Sequence, residues 1–310
     1  MDYLARLVST GNSEWPDSWR FPTADSVADM YLDRRRFLAL SGLALAGCGA
    51  GGGSSGDVQA PPGGYSIGRR FPSTVLVPGK VRLPISLQAN GESVRQGPAR
   101  LTGKMVDDQG NVVMDSLVAV RRGAGLAIPF WAFEAEVAAP GFYTLQVDDG
   151  PADGLGVQIN DPAQVAVPLV GQPLPPFATP TVGDGRGVDP ICTRDPMCPL
   201  HELTLTEALA TGKPVAYLIG TPAYCQTGVC GPVLDFLLAA RDKVGDKIAM
   251  VHADIYTYSS IKTVSPAVLA YQMDYEPALF IADASGKVVE RLDAVWDADE
   301  LDTALQLVTN

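Results

Sequence analysis

Residues 213–241 read KPVAYLIGTPAYCQTGVCGPVLDFLLAAR, and this stretch decides the fold of the C-terminal part of the chain. Residues 213–219 indicate a buried strand, residues 220–230 a loop that carries Cys225 and Cys230, and residues 231–241 a helix. Pro232 suits the first turn of that helix, where a backbone N–H has no helical partner. The order of strand, cysteine-bearing loop and helix is typical of a redox site.

After this helix, strands and helices alternate to residue 310. Residues 283–286 predict a hairpin turn, and the closing helix is expected to have Asp297 or Asp299 as its N-cap. Between the two helices we expect a strand at 248–254, a helix at 266–271, and strands at 275–281 and 287–291.

In element order, residues 203–310 resemble the thioredoxin-like family. The paired cysteines precede the first long helix, Glu276-Pro277-Ala278 lies where that family places a cis-proline beside its redox cysteines, and residues 280–291 resemble its closing hairpin. The resemblance implies that Cys225 attacks a substrate disulfide and Cys230 resolves the mixed disulfide, whereas the helix dipole alone favours Cys230 as the thiolate.

The chain departs from the family pattern in two ways. Four residues separate Cys225 from Cys230, where the family usually has two. The strand at 215–219 also lacks the buried Asp that thioredoxins keep there, and no basic residue lies within the cysteine loop.

Residues 65–165 show the period-two alternation of half-buried strands. Val81, Leu83, Ile85 and Leu87 fall on one face, and further runs occur at 117–120, 131–137, 143–147 and 155–159. Pro140 to Leu145 resembles the corner before a late strand of immunoglobulin-like domains. We therefore predict an all-β immunoglobulin-like sandwich, with Arg69 and Arg70 as solvated strand ends.

The N-terminal region has the layout of an export signal. The basic residues 34–36 precede an apolar run, 37–46, which would span about 15 Å as a helix against roughly 30 Å of membrane hydrocarbon. Leu45-Ala46-Gly47-Cys48 resembles a lipobox, which implies that Cys48 is lipidated and anchors the chain at the outer face of the cytoplasmic membrane. The basic residues fit either the twin-arginine or the general export route.

These patterns predict a two-domain protein, an all-β sandwich followed by an α/β thioredoxin-like domain. The expected parts are a signal region at 1–47 with Met30 as an alternative start, a lipid-anchored flexible tether at 48–64, the β-sandwich at 65–165, a Pro/Gly-rich connector at 166–200 and the thioredoxin-like domain at 201–310.

Four of the five cysteines remain once Cys48 is assigned to the lipid. Cys192 and Cys198 close a small loop and are interpreted as a structural disulfide, which suits an oxidising compartment. A further hypothesis is a soft-metal site that combines Cys225 and Cys230 with His201 or His252.

The net charge of −12 argues against nucleic acid as a partner. The favoured hypothesis is a membrane-tethered thiol–disulfide oxidoreductase whose partner is a protein disulfide or dithiol, with no metal and no cofactor. The alternative is a non-catalytic thioredoxin-like binding lipoprotein with structural disulfides. Tyr256, Tyr258 and Tyr271 are candidates for a peptide groove near Pro277, with packing as their other interpretation.

Overall fold

The computed structural model describes residues 64–256 and 264–309. The predicted signal region, the lipidation residue Cys48 and the tether up to residue 63 lie outside these ranges. Within them, no helix is both long and apolar enough to cross a membrane. The described residues belong to one compact unit.

In the described part of the chain, residues 66–159 contain eight strands that pair in an antiparallel manner, and this region is called the β half. Their bounds are β1 Ser66–Arg69, β2 Gly79–Ala89, β3 Glu92–Ser93, β4 Arg100–Asp107, β5 Val112–Arg122, β6 Phe130–Val137, β7 Gly141–Val147 and β8 Leu155–Ile159. The strand order is β1-β2-β6-β5-β4-β7-β8, and the short β3 pairs with β2.

The alternation that the sequence shows in β2 lies on the core side of this sheet. Val81, Leu83, Ile85 and Leu87 are each at most 2% exposed. They belong to one apolar cluster. Its other members come from the neighbouring strand β6 and from strands β4, β7 and β8 on the opposite side of the core. Strand β5 joins the two sides, because it pairs with β4 along most of its length and with β6 only at its last two residues.

The corner before β7 has the hydrogen bond that its sequence suggests. The hydroxyl of Tyr143 donates to the backbone oxygen of Ala139 at 3.0 Å. The N-terminal half is therefore an antiparallel β structure around one apolar core, and its assignment as immunoglobulin-like stays a prediction.

The C-terminal half is a four-stranded sheet with helices. Its elements are α1 Leu205–Ala210, β9 Val215–Ile219, α2 Cys230–Val244, β10 Ala249–Ala253, α3 Pro266–Ala270, β11 Ala278–Ala282, β12 Val288–Asp293 and α4 Ala298–Thr309. The strand order is β10-β9-β11-β12; β9 and β10 are parallel, and β11 is antiparallel to both β9 and β12. This is the element order that the thioredoxin-like resemblance implies.

Helices cover both faces of this sheet, which explains why every residue of β9 and β11 is buried. Ala216 and Leu218 pack with α2 and α4 on one face. Val215, Tyr217 and Ile219 pack with α1 and α3 on the other. Strands that are buried on both faces have continuously apolar sequences, and residues 215–219 are an example.

The connector at 166–200 contains no helix or named strand in the structure, and it is bonded along the edge strand β12. Gly171 donates its N–H to the oxygen of Val288 at 2.8 Å, and Val288 donates back to Gln172 at 2.9 Å. These bonds hold the Pro/Gly-rich segment against the sheet as it leads to the loop that carries Cys192 and Cys198.

The two sheets are in contact through a partly buried ion pair. The guanidinium of Arg82 on β2 donates two hydrogen bonds of 2.8 Å to the carboxylate of Glu300 on α4, and a third of 2.8 Å to the oxygen of Val295. The carboxylate of Asp297 accepts the N–H of Glu300 at 3.1 Å, so Asp297 is the N-cap of α4. The sequence left Asp297 and Asp299 as alternatives.

Candidate functional site

Cys225 and Cys230 lie at the N-terminal end of α2, next to the end of β9. The helix begins at Cys230 itself. Gly228 has a φ of 66°, in the left-handed region that favours glycine, and it donates its N–H to the oxygen of Cys225 at 3.1 Å. This turn accommodates the four intervening residues and brings the two cysteines together at the helix end.

The sulfur of Cys225 occupies the position of a helix cap. It accepts the N–H of Cys230 at 3.2 Å and lies 3.3 Å from the hydroxyl oxygen of Thr227. Val229, the residue before the helix, makes no side-chain cap bond. Hydrogen bonding by the Cys230 thiol is the main cause that lowers the pKa of Cys225 to about 5, and the backbone N–H groups of the first turn add to it.

Cys230 has the opposite character. Its side chain is only 1% exposed, and burial raises the pKa of the Cys230 thiol far above its usual range. Cys225 is half-buried and thus the more accessible sulfur. An attacking cysteine must be ionised and reachable by a substrate, whereas a resolving cysteine need not be. Cys225 has the properties of the first kind and Cys230 those of the second.

Glu276 supplies a half-buried acid beside the cysteines, whereas residues 215–219 contain none. Donor atoms of Glu276, Cys225 and Cys230 lie within 4.8 Å of one another. Burial, reinforced by the charge of Cys225, raises the pKa of Glu276 to about 7. The backbone N–H of Thr221 donates to this carboxylate at 2.8 Å, and the peptide bond between Glu276 and Pro277 is cis.

Arg70 belongs to the β half of the molecule, and the charge of Cys225 influences its pKa. Arg70 directly follows β1 and is half-buried, so it is less solvated than a fully exposed strand end, while the neighbouring Arg69 is exposed. Burial lowers the pKa of Arg70, and the charge of Cys225 acts in the opposite direction. This influence joins positions more than 150 residues apart in the chain, and the lowered pKa of Cys225 itself comes mainly from the hydrogen bonds of Cys230 and Thr227.

Replacing Arg70 with Gln is expected to make Cys225 less acidic. With a pKa of about 5 in the unaltered protein, alkylation of Cys225 at that pH should slow by about twofold, because the hydrogen bonds of Cys230 and Thr227, which mainly lower this pKa, are retained. The check is the rate of alkylation measured against pH. Arg69→Gln removes the same charge from the exposed neighbour and should leave the profile unchanged; equal shifts in both variants would contradict this role of Arg70.

A second cluster of titratable side chains lies beside the first. Cys192, Cys198, His201 and His252 are all buried, and their donor atoms lie within 4.8 Å of one another. Cys192 and Cys198 are free thiols in the structure, so the disulfide between them stays a prediction. The soft-metal hypothesis combined the histidines with Cys225 and Cys230, but the structure brings both imidazoles to the other cysteine pair.

The three tyrosines have different positions. Tyr271 is 2% exposed and packs in the core, which favours its packing interpretation. Tyr256 is half-exposed, and its ring meets that of Tyr224, next to Cys225 in sequence, with centroids 6.2 Å apart. Tyr258 lies outside the described residues.

Two solved structures to which part of this chain is similar are described as thiol–disulfide proteins. One is the C-terminal domain of a protein described as a thiol-disulfide oxidoreductase from Bacteroides thetaiotaomicron, with 11% identity, a TM-score of 0.33 and coverage of 46% of this chain and 96% of that one. Another is a thiol:disulfide interchange protein of the thioredoxin family from Chlorobium tepidum TLS, with 14% identity, a TM-score of 0.30 and coverage of 46% and 99%. No protein-family profile and no curated protein matches the chain.

Proposed function

We propose that this chain is a membrane-tethered thiol–disulfide oxidoreductase that acts outside the cytoplasm through Cys225 and Cys230. The tether rests on the lipobox-like sequence that ends at Cys48, and the cysteine chemistry rests on the described site. The substrate class is a disulfide or dithiol in another protein.

The observation that carries the proposal is the asymmetry of the cysteine pair. Cys225 is half-buried, accepts the N–H of Cys230 at 3.2 Å and has its pKa lowered to about 5. Cys230 is buried beside Glu276, whose pKa is raised to about 7. A purely structural disulfide does not require its two sulfurs to differ in exposure or in pKa.

The reaction follows from these positions. The thiolate of Cys225 attacks one sulfur of a substrate disulfide, which forms a mixed disulfide and releases the other substrate sulfur as a thiolate. Glu276 then accepts the proton of Cys230, and the Cys230 thiolate attacks the sulfur of Cys225. The second substrate thiolate leaves, the Cys225–Cys230 disulfide forms, and two electrons have passed to the substrate. Oxidation of a substrate dithiol is the same sequence in reverse.

The reduction potential of the Cys225–Cys230 pair tests the proposal. A thiolate with a pKa of about 5 stabilises the reduced form, so the pair should be more oxidising than a structural disulfide. We expect a value between about −120 and −270 mV, the range of known oxidoreductases. Quantification of each cysteine by mass spectrometry separates this pair from Cys192 and Cys198. A value below about −300 mV, with Cys225 unreactive, would instead support a non-catalytic binding lipoprotein.

A further inference from the structure

The last part of the connector, residues 192–200, is a loop that is fixed at two points to the C-terminal end of strand β10 and the residue that follows it. The N–H of Thr193 donates to the carboxylate of Asp254 at 2.9 Å, and the N–H of His252 donates to the oxygen of Leu200 at 3.1 Å. Because these bonds hold the loop at both ends, the residues between them face the end of β10, where His252 lies.

Four donor atoms converge between the loop and the strand. Nδ1 of His252 lies 3.2 Å from Nε2 of His201, 3.4 Å from Sγ of Cys198 and 3.8 Å from Sγ of Cys192. All four side chains are at most 5% exposed. The sulfurs are not bonded to each other, since both cysteines are free.

These separations match the edges of a coordination tetrahedron. With metal–nitrogen distances of about 2.0 Å and metal–sulfur distances of about 2.3 Å, neighbouring donors of a tetrahedral zinc ion lie roughly 3.3 to 3.8 Å apart. The observed separations around His252 span 3.2 to 3.8 Å. Two thiolates and two imidazoles are also a donor set that structural zinc sites use.

The far side of His252 has the hydrogen bonds of a metal-bound imidazole. Its Nε2 lies 2.9 Å from the oxygen of Gly220 and 3.4 Å from a carboxylate oxygen of Asp254. Because a backbone carbonyl only accepts, the proton belongs on Nε2 and the lone pair of Nδ1 faces the two sulfurs and His201. Such an outer hydrogen bond fixes the tautomer and orientation of a ligating histidine.

We propose that Cys192, Cys198, His201 and His252 bind one zinc ion in a closed, four-coordinate structural site. All four positions are filled by buried protein side chains, so no position is open for a substrate. The ion would hold the loop on β10 beside the cysteine site: Gly220 accepts from His252, and a Cβ added at Gly220 would lie 3.6 Å from the sulfur of Cys230. The proposal is independent of the redox function.

Metal titration of the full chain, reduced and treated with chelator, tests this site. We expect one equivalent of Zn²⁺ to bind in competition with a chromophoric chelator, and Co²⁺ in its place to give tetrahedral and thiolate charge-transfer bands. The double variant C225S/C230S removes the other cysteine pair and should retain both results. The double variant C192S/C198S should lose at least about 100-fold in affinity.

Protection of individual thiols is measured in the unaltered protein, so it does not depend on whether a variant folds. Bound Zn²⁺ should slow the alkylation of Cys192 and Cys198 and leave that of Cys225 unchanged. The proposal would be overturned by a reduced protein that binds no Zn²⁺, by binding of Cu(I) alone, or by Zn²⁺ binding that is lost in C225S/C230S and retained in C192S/C198S. None of these results bears on the potential of the redox pair.

Discussion

Replacing Cys230 with Ser is expected to arrest the reaction at the mixed disulfide. Cys225 retains its exposure and its place in the loop before α2, where its sulfur accepts the N–H of residue 230 at 3.2 Å, so it still attacks a substrate disulfide. The step that releases the substrate needs the second sulfur. Turnover should fall by at least about 1,000-fold, the order of loss when one member of a reacting unit is removed.

The paired variant Cys225→Ser provides the control. It keeps Cys230, but that thiol is 1% exposed and its pKa is raised by burial, so it should form no mixed disulfide. Covalent capture of a disulfide-containing peptide, resolved by mass spectrometry, distinguishes the two variants. Capture through Cys230 in the Cys225→Ser variant, or equal capture by both variants, would contradict the assignment of roles.

Replacing Glu276 with Gln is expected to slow resolution of the mixed disulfide by about 100-fold, within the range that a positioned general base contributes. In the unaltered protein the N–H of Thr221 donates to the Glu276 carboxylate at 2.8 Å. The amide oxygen of Gln can still accept this bond, but the amide cannot take the proton of Cys230. The first attack by Cys225 should be affected much less, so single-turnover kinetics must separate the two steps.

The pH dependence of the resolution rate is a second test of the role of Glu276. Burial raises the pKa of Glu276 to about 7, so the base form becomes available as the pH rises through that value and is lost below it. Resolution in the unaltered protein should therefore accelerate through neutral pH, and this rise should be absent in Glu276→Gln. The exposed residue Glu92 on strand β3 offers a matched control, since Glu92→Gln removes a carboxylate from the β half of the molecule. A resolution rate unchanged in Glu276→Gln would remove the residue from the mechanism.

Local sequence pattern predicted the elements whose burial has a regular period. The alternation in β2 and the apolar runs of β9 and β11 match strands of the structure, since burial on one or both faces leaves that pattern. Helix α1 was not predicted, although its signal is present. Thr204 and Glu207 form a capping box, in which each side chain bonds the backbone N–H of the other.

The parts of the site that the sequence did not predict depend on contacts between distant segments. The charge of Cys225 influences Arg70 only because the β half packs against the C-terminal half. Cys192 and His252 are 60 positions apart, and their meeting depends on the hydrogen bonds that fix the loop to β10. The spacing of Cys192 and Cys198 alone is compatible with a disulfide, so it contained no information on the two imidazoles.

The rate of alkylation of each cysteine in the reduced protein, followed by mass spectrometry from acidic to alkaline pH, tests the central claim most directly. Only the thiolate reacts, so the rate for Cys225 should be half-maximal near its pKa of about 5 and fall as the pH drops below it, with Cys230 labelled far more slowly. A half-maximal rate near the ordinary thiol pKa of about 8.5, or faster labelling of Cys230, would contradict Cys225 as the attacking thiolate.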